Sequence, residues 1–450
     1  MRGWALGALV ALVAVGAVLG GGPVAARAPR LARVEPGGSS GDQKATSSPG
    51  LADGEVGRLA GGERFATSAD AARRLWPDGA DTVVLATGLD YPDALAGAPL
   101  AAAADAPMLL AATDRLPEPV RRAIVDLAPQ RVVLLGGEAV LSPAVAETVA
   151  GLPGRPAVER VAGPNRFATA EAAARATGGR ADGDVAVAGG SGFADALAAG
   201  ALAAGGEPTP VVLASEARVE ADVAGADRAL LVGALSSRAE QDARARADAV
   251  RRVAGPTRWA TSRAVADMAL TERLTGDAPL VVATGERFAD ALAAGAVAAR
   301  RDAPLLLVPA DGVTRGQAEW IATHHRRLTG AWIVGGTGAV TASAADDIAA
   351  LIAGDDQQPR DARQSVVGVL DGDAQLEGGC VWLDAENGLY HVRWPEGWRA
   401  SADPVELRNP QGQVVARRGD RVEVGGEPVE DAVTACQRGS VFDADEVRPF

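Results

Sequence analysis

One arrangement of phrases occurs three times along this chain. RLAGGERFAT at Arg58–Thr67 returns as RVAGPNRFAT at Arg160–Thr169 and RVAGPTRWAT at Arg252–Thr261, at offsets of 102 and 92 residues. A second phrase follows each opening: TGLDYPDALAGA from Thr87, GGSGFADALAAGA from Gly189 and TGERFADALAAGA from Thr284. Its aspartates, Asp93, Asp195 and Asp290, stand 35, 35 and 38 residues after the opening arginine of their repeat. The third phrase is a proline with an apolar run: PMLLA from Pro107, PVVLA from Pro210, PLLLV from Pro304. The fourth is VVLLGGEAVLS ending at Ser142, matched by WIVGGTGAVT ending at Thr341 and shortened to ALLVGALS ending at Ser236. Four phrases kept in one order require three copies of one structural unit.

Each copy has α/β grammar. The segment after Arg64 places Ala69, Ala72 and Leu75/Trp76 at helical intervals, and DALAAGALAA is an Ala-rich helix able to pack tightly on a sheet. TVVLATG, DVAVAGG and PLVVATG are short apolar runs ending in glycine, the pattern of strands covered on both faces. Strands separated by helices imply a parallel sheet with right-handed crossovers. The expected fold class is α/β: three tandem doubly wound parallel-sheet modules at 56–155, 156–249 and 250–354, followed by a small all-β barrel or sandwich domain at 365–450. The middle module is trimmed. Pro210 to Gly233 is 23 residues, against 29 from Pro107 to Gly136 and 31 from Pro304 to Gly335, so the helix between its second and third strands should be shortened or lost.

The flanks carry addressing and linking signals. Arg2, the apolar run Trp4–Gly20 and the small residues at Val24–Ala26 read as a signal peptide over 1–26, so a secreted protein with no transmembrane anchor after cleavage is expected. A retained anchor is the alternative, although the run is at the lower limit for a span. Residues 27–55 read as a flexible linker and 355–364 as a polar hinge. In an exported chain the two cysteines, Cys380 and Cys436, read as one disulfide of the β domain, with two buried thiols as the alternative.

Charge and chemistry narrow the function. With 44 basic against 58 acidic residues the net charge is −14, a poor footprint for nucleic acid. Lys44 is the sole lysine, so no phosphate-loop lysine is available within the repeats, and the tight GxGxxG fingerprint is absent. The three histidines, His324, His325 and His391, lie outside the repeated phrases without metal-ligand spacing, and no GxSxG elbow occurs. No enzyme activity, catalytic residue, metal or cofactor is expected. The recurring Arg64, Arg166 and Arg258 are the candidate anion ligands, since a guanidinium forks onto phosphate or carboxylate. The competing reading pairs each with the aspartate of its own repeat. Asp93, Asp195 and Asp290 are expected as structural residues, capping the DALA helix or complementing its dipole. The strand-ending pairs Gly136–Gly137 and Gly335–Gly336 offer backbone N–H groups to an anion.

The RLAG/RVAG-x-x-R-[FW]-A-T opening, the F/Y-x-D-A-L-A centre and the GG-x-x-A-V close resemble the cell wall-binding repeat 2 family of Gram-positive surface proteins, over about 300 of the 450 residues. The resemblance implies three modules packed with pseudo-threefold symmetry, holding a protein non-covalently on an anionic cell-wall polysaccharide or teichoic-type polymer at the cell surface. It also implies a polymer site near the proline-apolar phrases: Pro107, Leu109 and Leu110, and Pro304, Leu306 and Leu307. Read from the residues alone, those phrases are core strands. A surface-assembly or adhesion scaffold, and an amidase-like peptidoglycan hydrolase, are the alternative functions.

Overall fold

The computed structural model describes residues 51–449 except 179–182, 204–207, 222, 224–225, 256, 275, 355–363, 375–379, 386–387 and 430–439. The proposed signal peptide, most of the linker and hinge, and Cys436 therefore lie outside the described residues. The first repeat contains β1 (Glu55–Leu59), α1 (Arg64–Leu75), β2 (Thr82–Thr87), α2 (Gly97–Ala103), β3 (Met108–Ala111), α3 (Glu118–Leu127), β4 (Arg131–Leu135) and α4 (Pro143–Ala150). The second has β5 (Ala157–Val161), α5 (Arg166–Ala176), β6 (Asp184–Gly189), α6 (Ala194–Gly200), β7 (Val211–Ala214), β8 (Arg228–Val232) and α7 (Ser237–Arg246). The third has β9 (Val250–Val253), α8 (Arg258–Met268), β10 (Ala278–Thr284), α9 (Phe288–Arg300), β11 (Leu305–Val308), α10 (Arg315–His324), β12 (Leu328–Val334) and α11 (Ala342–Ile352). Among the described residues no helix joins β7 to β8, the place where α3 and α10 stand in the other copies. The chain there turns back on itself through an Ala214–Val219 bridge.

The sheets are offset from the repeats. Their orders are β3-β2-β4-β5, β7-β6-β8-β9 and β11-β10-β12-β1, all parallel. Each fourth strand is the RLAG/RVAG strand of the next copy, so Leu135 lies beside Val161 and Val232 beside Val253. The third sheet has no next copy, and β1 returns to fill the place, with Leu59 beside Val334. Strand exchange thus closes the three units into a ring, and one continuous apolar core runs through all of them.

The ring is tight because its centre is built from small residues. Helices α2, α6 and α9 pack on one another. The fifth residue after each DALA aspartate falls on the axis: Ala98, Gly200 and Gly295. A Cβ at Gly295 would sit 2.6 Å from that of Ala98, and one at Gly200 3.0 Å from it. The axis holds a single methyl group.

The C-terminal region contains β13 (Gln364–Asp373), β14 (Cys380–Ala385), β15 (Gly388–Arg393), β16 (Arg399–Ala402), β17 (Val405–Arg408), β18 (Val414–Arg417), β19 (Arg421–Val429) and β20 (Ser440–Pro449). Of the two expected forms it is the barrel, closed in the order β13-β14-β15-β20-β19, with β16-β17-β18 as an added sheet. All its pairings are antiparallel except β15 with β20. Leu370, Leu383, Val422, Val424 and Phe442 fill the interior. Cys380 opens β14 and is buried, and no free cysteine occurs among the described residues.

Candidate functional site

The repeated opening phrase can be explained residue by residue. Its first arginine reaches back across the exchanged strand: Arg160 donates to the carbonyls of Gly136 (2.7 Å) and Leu141 (2.8 Å), and Arg58 to those of Gly335 (2.9 Å) and Thr341 (3.4 Å). Its glycine (Gly61, Gly163 or Gly255) lies so close to Ala66, Ala168 or Ala260 that an added Cβ would approach within 2.4 Å. The phrase's buried threonine accepts that glycine's N–H, at 3.1 Å for Thr67, 3.0 Å for Thr169 and 3.2 Å for Thr261. The aromatic residue packs on the glycine that follows β2, β6 or β10, Phe65 on Gly88, Phe167 on Gly190 and Trp259 on Gly285, with no room for a side chain there.

The second arginine uses that same glycine. Arg64, Arg166 and Arg258 donate from Nη1 to the carbonyls of Gly88, Gly190 and Gly285 at 2.6, 2.8 and 3.0 Å. None of the three makes an ion pair within 4 Å among the described residues. The expected partnership within one repeat is not found: Arg64 instead faces the preceding unit around the ring, stacking on Phe288 at 5.8 Å and acting electrostatically on Asp290. Arg258 does the same to the second unit, stacking on Phe193 at 5.6 Å and acting on Asp195. Sequence order made the partners local, whereas ring packing makes them neighbours in space. Tyr91, Phe193 and Phe288, one per unit, meet with centroids 5.5 to 6.3 Å apart. The cluster therefore sits at the N-terminal ends of the central helices, beside the C-terminal ends of the strands.

The aspartates do not cap the DALA helices, since no side-chain cap bond is present on α2, α6 or α9. Asp195 and Asp290 lie in the first turn, where the helix dipole favours a carboxylate; in the first unit, α2 begins only at Gly97, after Asp93. Each carboxylate instead rests on the glycine that follows the fourth strand of its own repeat, β4, β8 or β12. Added Cβ atoms at Gly136, Gly233 and Gly335 would meet Asp93, Asp195 and Asp290 at 3.2, 2.0 and 2.9 Å. Those glycines also hold positive φ of 116°, 74° and 126°, a second reason for glycine there. Burial pushes the Asp195 carboxyl above its ordinary range against the pull of the Ala234 N–H, Arg258 and Thr261. Burial raises Asp290 likewise, opposed by Arg287 and Arg64.

The strand-end face carries the open space. In each sheet the crossovers leave to opposite sides between the second and third strands of the order, β2/β4, β6/β8 and β10/β12, the usual position of ligands in open α/β sheets. A cavity of about 360 Å³ is lined by Arg166, Phe167, Gly190, Ser191, Ser215 and Glu216, among others, all from the second repeat. The proline-apolar phrases lie beneath this face. Leu109, Leu110, Leu306 and Leu307 are fully buried, and Pro107 and Pro304 are buried with them. Their side chains offer no surface to a polymer, which corrects the placement implied by the resemblance. Leu110 and Leu307 receive backbone support from Ser68 and Ser262, whose hydroxyls accept their N–H groups at 3.2 and 2.7 Å. Arg58, where the ring closes, and Arg160, at the junction of the first and second units, stand at the same place in the repeated phrase, and that recurrence is the only mark in the sequence of their clasping role.

Known proteins share this arrangement. Two solved structures from Clostridium difficile superpose with a TM-score of 0.58 each: Cwp6, 24% identical, covering 69% of this chain and 50% of that one, and Cwp8, 25% identical, covering 67% and 52%. Among curated proteins of Bacillus subtilis (strain 168), N-acetylmuramoyl-L-alanine amidase LytC is 24% identical over 311 residues, 68% of this chain and 60% of that protein. The amidase enhancer is 27% identical over 259 residues, 57% of this chain and 35% of that protein. The chain thus spans less than two thirds of the length of these curated relatives. The profile of the Cell wall binding domain 2 (CWB2) family matches residues 58–146, 160–238 and 252–345, more than half of the chain and the same three repeats that build the ring. The chain belongs to the Cell wall binding domain 2 family.

Proposed function

We propose that this is an exported protein that attaches non-covalently to an anionic cell-wall polymer, of teichoic or polysaccharide type, at the contacts between its three α/β units. The observation carrying this reading is the state of Arg64, Arg166 and Arg258. Each guanidinium has five N–H donors, is held by one bond to a strand-end carbonyl, and makes no ion pair among the described residues. Three such forks on one rigid ring suit a repeating phosphate or uronate chain, where weak contacts add through avidity. The net charge of −14 opposes a polyanion at long range, but that field is screened beyond about 8 Å at physiological salt. The chain is read as a binding protein rather than an enzyme, because its likeness to the amidase extends over 311 residues, about the length of the three-repeat region 58–345. No helix among the described residues is long and apolar enough to cross a membrane. Sedimentation of the full-length protein with purified cell walls tests the reading: Arg64→Ala, Arg166→Ala and Arg258→Ala should each lower the bound fraction while the thermal midpoint is kept. Unchanged wall binding in the triple variant would sink it.

A further inference from the structure

The barrel does not stand apart from the ring. The beginning of β15, Gly388–Tyr390, together with Val366 and Ser440 at the same end of the barrel, roofs the contact between the second and third units and encloses a cavity of about 700 Å³. That volume is in the range of small-ligand pockets. Its lining has a different character from the other strand-end space. Three carboxylates, Asp195, Glu286 and Asp311, stand against the one guanidinium of Arg258. Arg258 is itself occupied on one side by the Gly285 carbonyl and on its faces by the rings of Phe193 and Trp259. On its carboxylate side such a pocket favours a neutral or cationic unit, next to the edge of Arg258 that is left for an anionic group of the same polymer.

Two polar atoms set in aromatic rings complete it. Tyr390 is held by an edge-on contact with Phe442 at 6.1 Å, and its hydroxyl has no hydrogen-bond partner among the described residues. The indole N–H of Trp259 is also without a partner among them. Of the carboxylates, Glu286 is anchored by the Ala310 N–H at 3.1 Å. Donors for the hydroxyls of a sugar and several carboxylates for an ammonium group converge in one roofed but partly open cleft. By contrast, the cavity beside Arg166 is lined by the second repeat alone.

We propose that this roofed cleft binds an amino-sugar unit of a wall glycan, with Asp195, Glu286 and Asp311 facing its ammonium group and Tyr390 and Trp259 its hydroxyls. The inference deepens the wall-polymer reading and rests on it, and it makes the barrel part of the recognition surface. The probe is a glucosamine trisaccharide titrated calorimetrically into the full-length chain, beside its N-acetylated counterpart and a glucuronate trisaccharide. The glucosamine trimer should bind one site saturably, and the N-acetylated and glucuronate trimers each at least about fivefold more weakly. Tyr390→Phe keeps the ring packing and should weaken the glucosamine trimer about fivefold, the worth of one hydrogen bond, and Asp311→Asn should weaken it at least as much. No binding of the glucosamine trimer, equal or tighter binding of the N-acetylated trimer, or affinity unchanged in both variants overturns the inference. Wall sedimentation of the same variants separates the two readings. Wall binding without trisaccharide binding removes only the amino-sugar pocket, whereas trisaccharide binding with no sedimentation of the native protein removes only the anionic-polymer reading.

Discussion

The two junctions that follow complete copies differ from the one that follows the trimmed copy. After the first and third copies, the strand entering from the next repeat is clasped by an arginine that donates to two backbone carbonyls of the glycine loop, Arg160 on Gly136 and Leu141, Arg58 on Gly335 and Thr341. After the second copy that loop is short, and Arg252 turns instead to Glu240 at 2.6 Å, with both groups partly open to solvent. One sequence position therefore supports two kinds of bond. The carbonyl clasp gives backbone acceptors a charged donor, although the Thr341 carbonyl also takes the Ala345 N–H, and its loss removes those charge-assisted bonds. The ion pair trades one hydrated charge arrangement for another and is weakened by salt. The shorter glycine loop of the middle copy thus goes with a solvent-open ion pair in place of the carbonyl clasp, while the strand exchange itself remains.

The contrast is open to direct test. The largest effect should come from Arg58→Ala, which opens the joint where the first strand meets the last unit. Losing two charge-assisted bonds should cost about 2–4 kcal/mol in urea unfolding, with Arg160→Ala close behind. If Arg58→Ala and Arg252→Ala prove equally mild, the two junctions are energetically alike and the distinction fails. Next, Gly295→Ala puts a second methyl group on the axis and should destabilise by about 1–3 kcal/mol, more than Gly200→Ala. Adding Ala98→Gly to Gly295→Ala should recover most of the loss, because it moves the one permitted methyl instead of adding another. A double variant no more stable than Gly295→Ala would show that the axis is not what limits packing. Arg252→Ala should cost about 0–1 kcal/mol, and 1 M salt should erase even that difference from the native protein. Retention of the full difference at high salt would mark the middle joint as fixed after all.

The smallest effect concerns pH. Burial raises the Asp290 carboxyl above its ordinary value near 3.8, so the folded protein binds this proton more tightly than the unfolded chain does. Stability from this group is therefore present at low pH, is lost as pH climbs from about 4 to the raised value, and stays lost above it. Asp290→Asn should flatten that part of the stability-against-pH curve and leave the protein at neutral pH as stable as before or slightly more so. It also removes a negative charge that acts on Arg64, so wall binding should tighten modestly. A steeper decline with pH in the variant would contradict the assignment.

Much of this architecture can be read from the repeats. The apolar runs TVVLAT, DVAVAG and APLVVAT became β2, β6 and β10, and the shorter spacing from Pro210 to Gly233 foretold the missing middle helix. What the sequence did not reveal was ownership. The RLAG strand begins each repeat in sequence but ends the sheet of the copy before it, and a repeat compared only with its siblings carries no mark of which sibling it joins. The arginine–aspartate relation is hidden for the same reason: distance along the chain points to a partner within the repeat, whereas Arg64 and Arg258 act on Asp290 and Asp195 of the neighbouring units. A visible trace of the centre did exist: Ala98, Gly200 and Gly295 are all small at one aligned position. Without knowing that three helices meet there, small residues in an Ala-rich helix carry no special weight. The proline-apolar phrases show the converse difficulty, because a strand essential to the sheet and a strand touching a ligand share one hydrophobic pattern.

Pairing the first strand with the last unit also decides where attachments leave the ring. β1 begins beside Gly330, at the start of β12, and α11 packs against β1 as the chain departs. Whatever precedes residue 55 and whatever follows residue 352 are thereby tethered to one sector of the ring. In engineering terms the ring is open to circular permutation: joining the region of α11 to β1 through a short linker and cutting between α4 and β5 should preserve every strand pairing. A permuted ring would carry its attachments from a different sector, and the choice of cut would then decide which strand-end junction is crowded and which is bare.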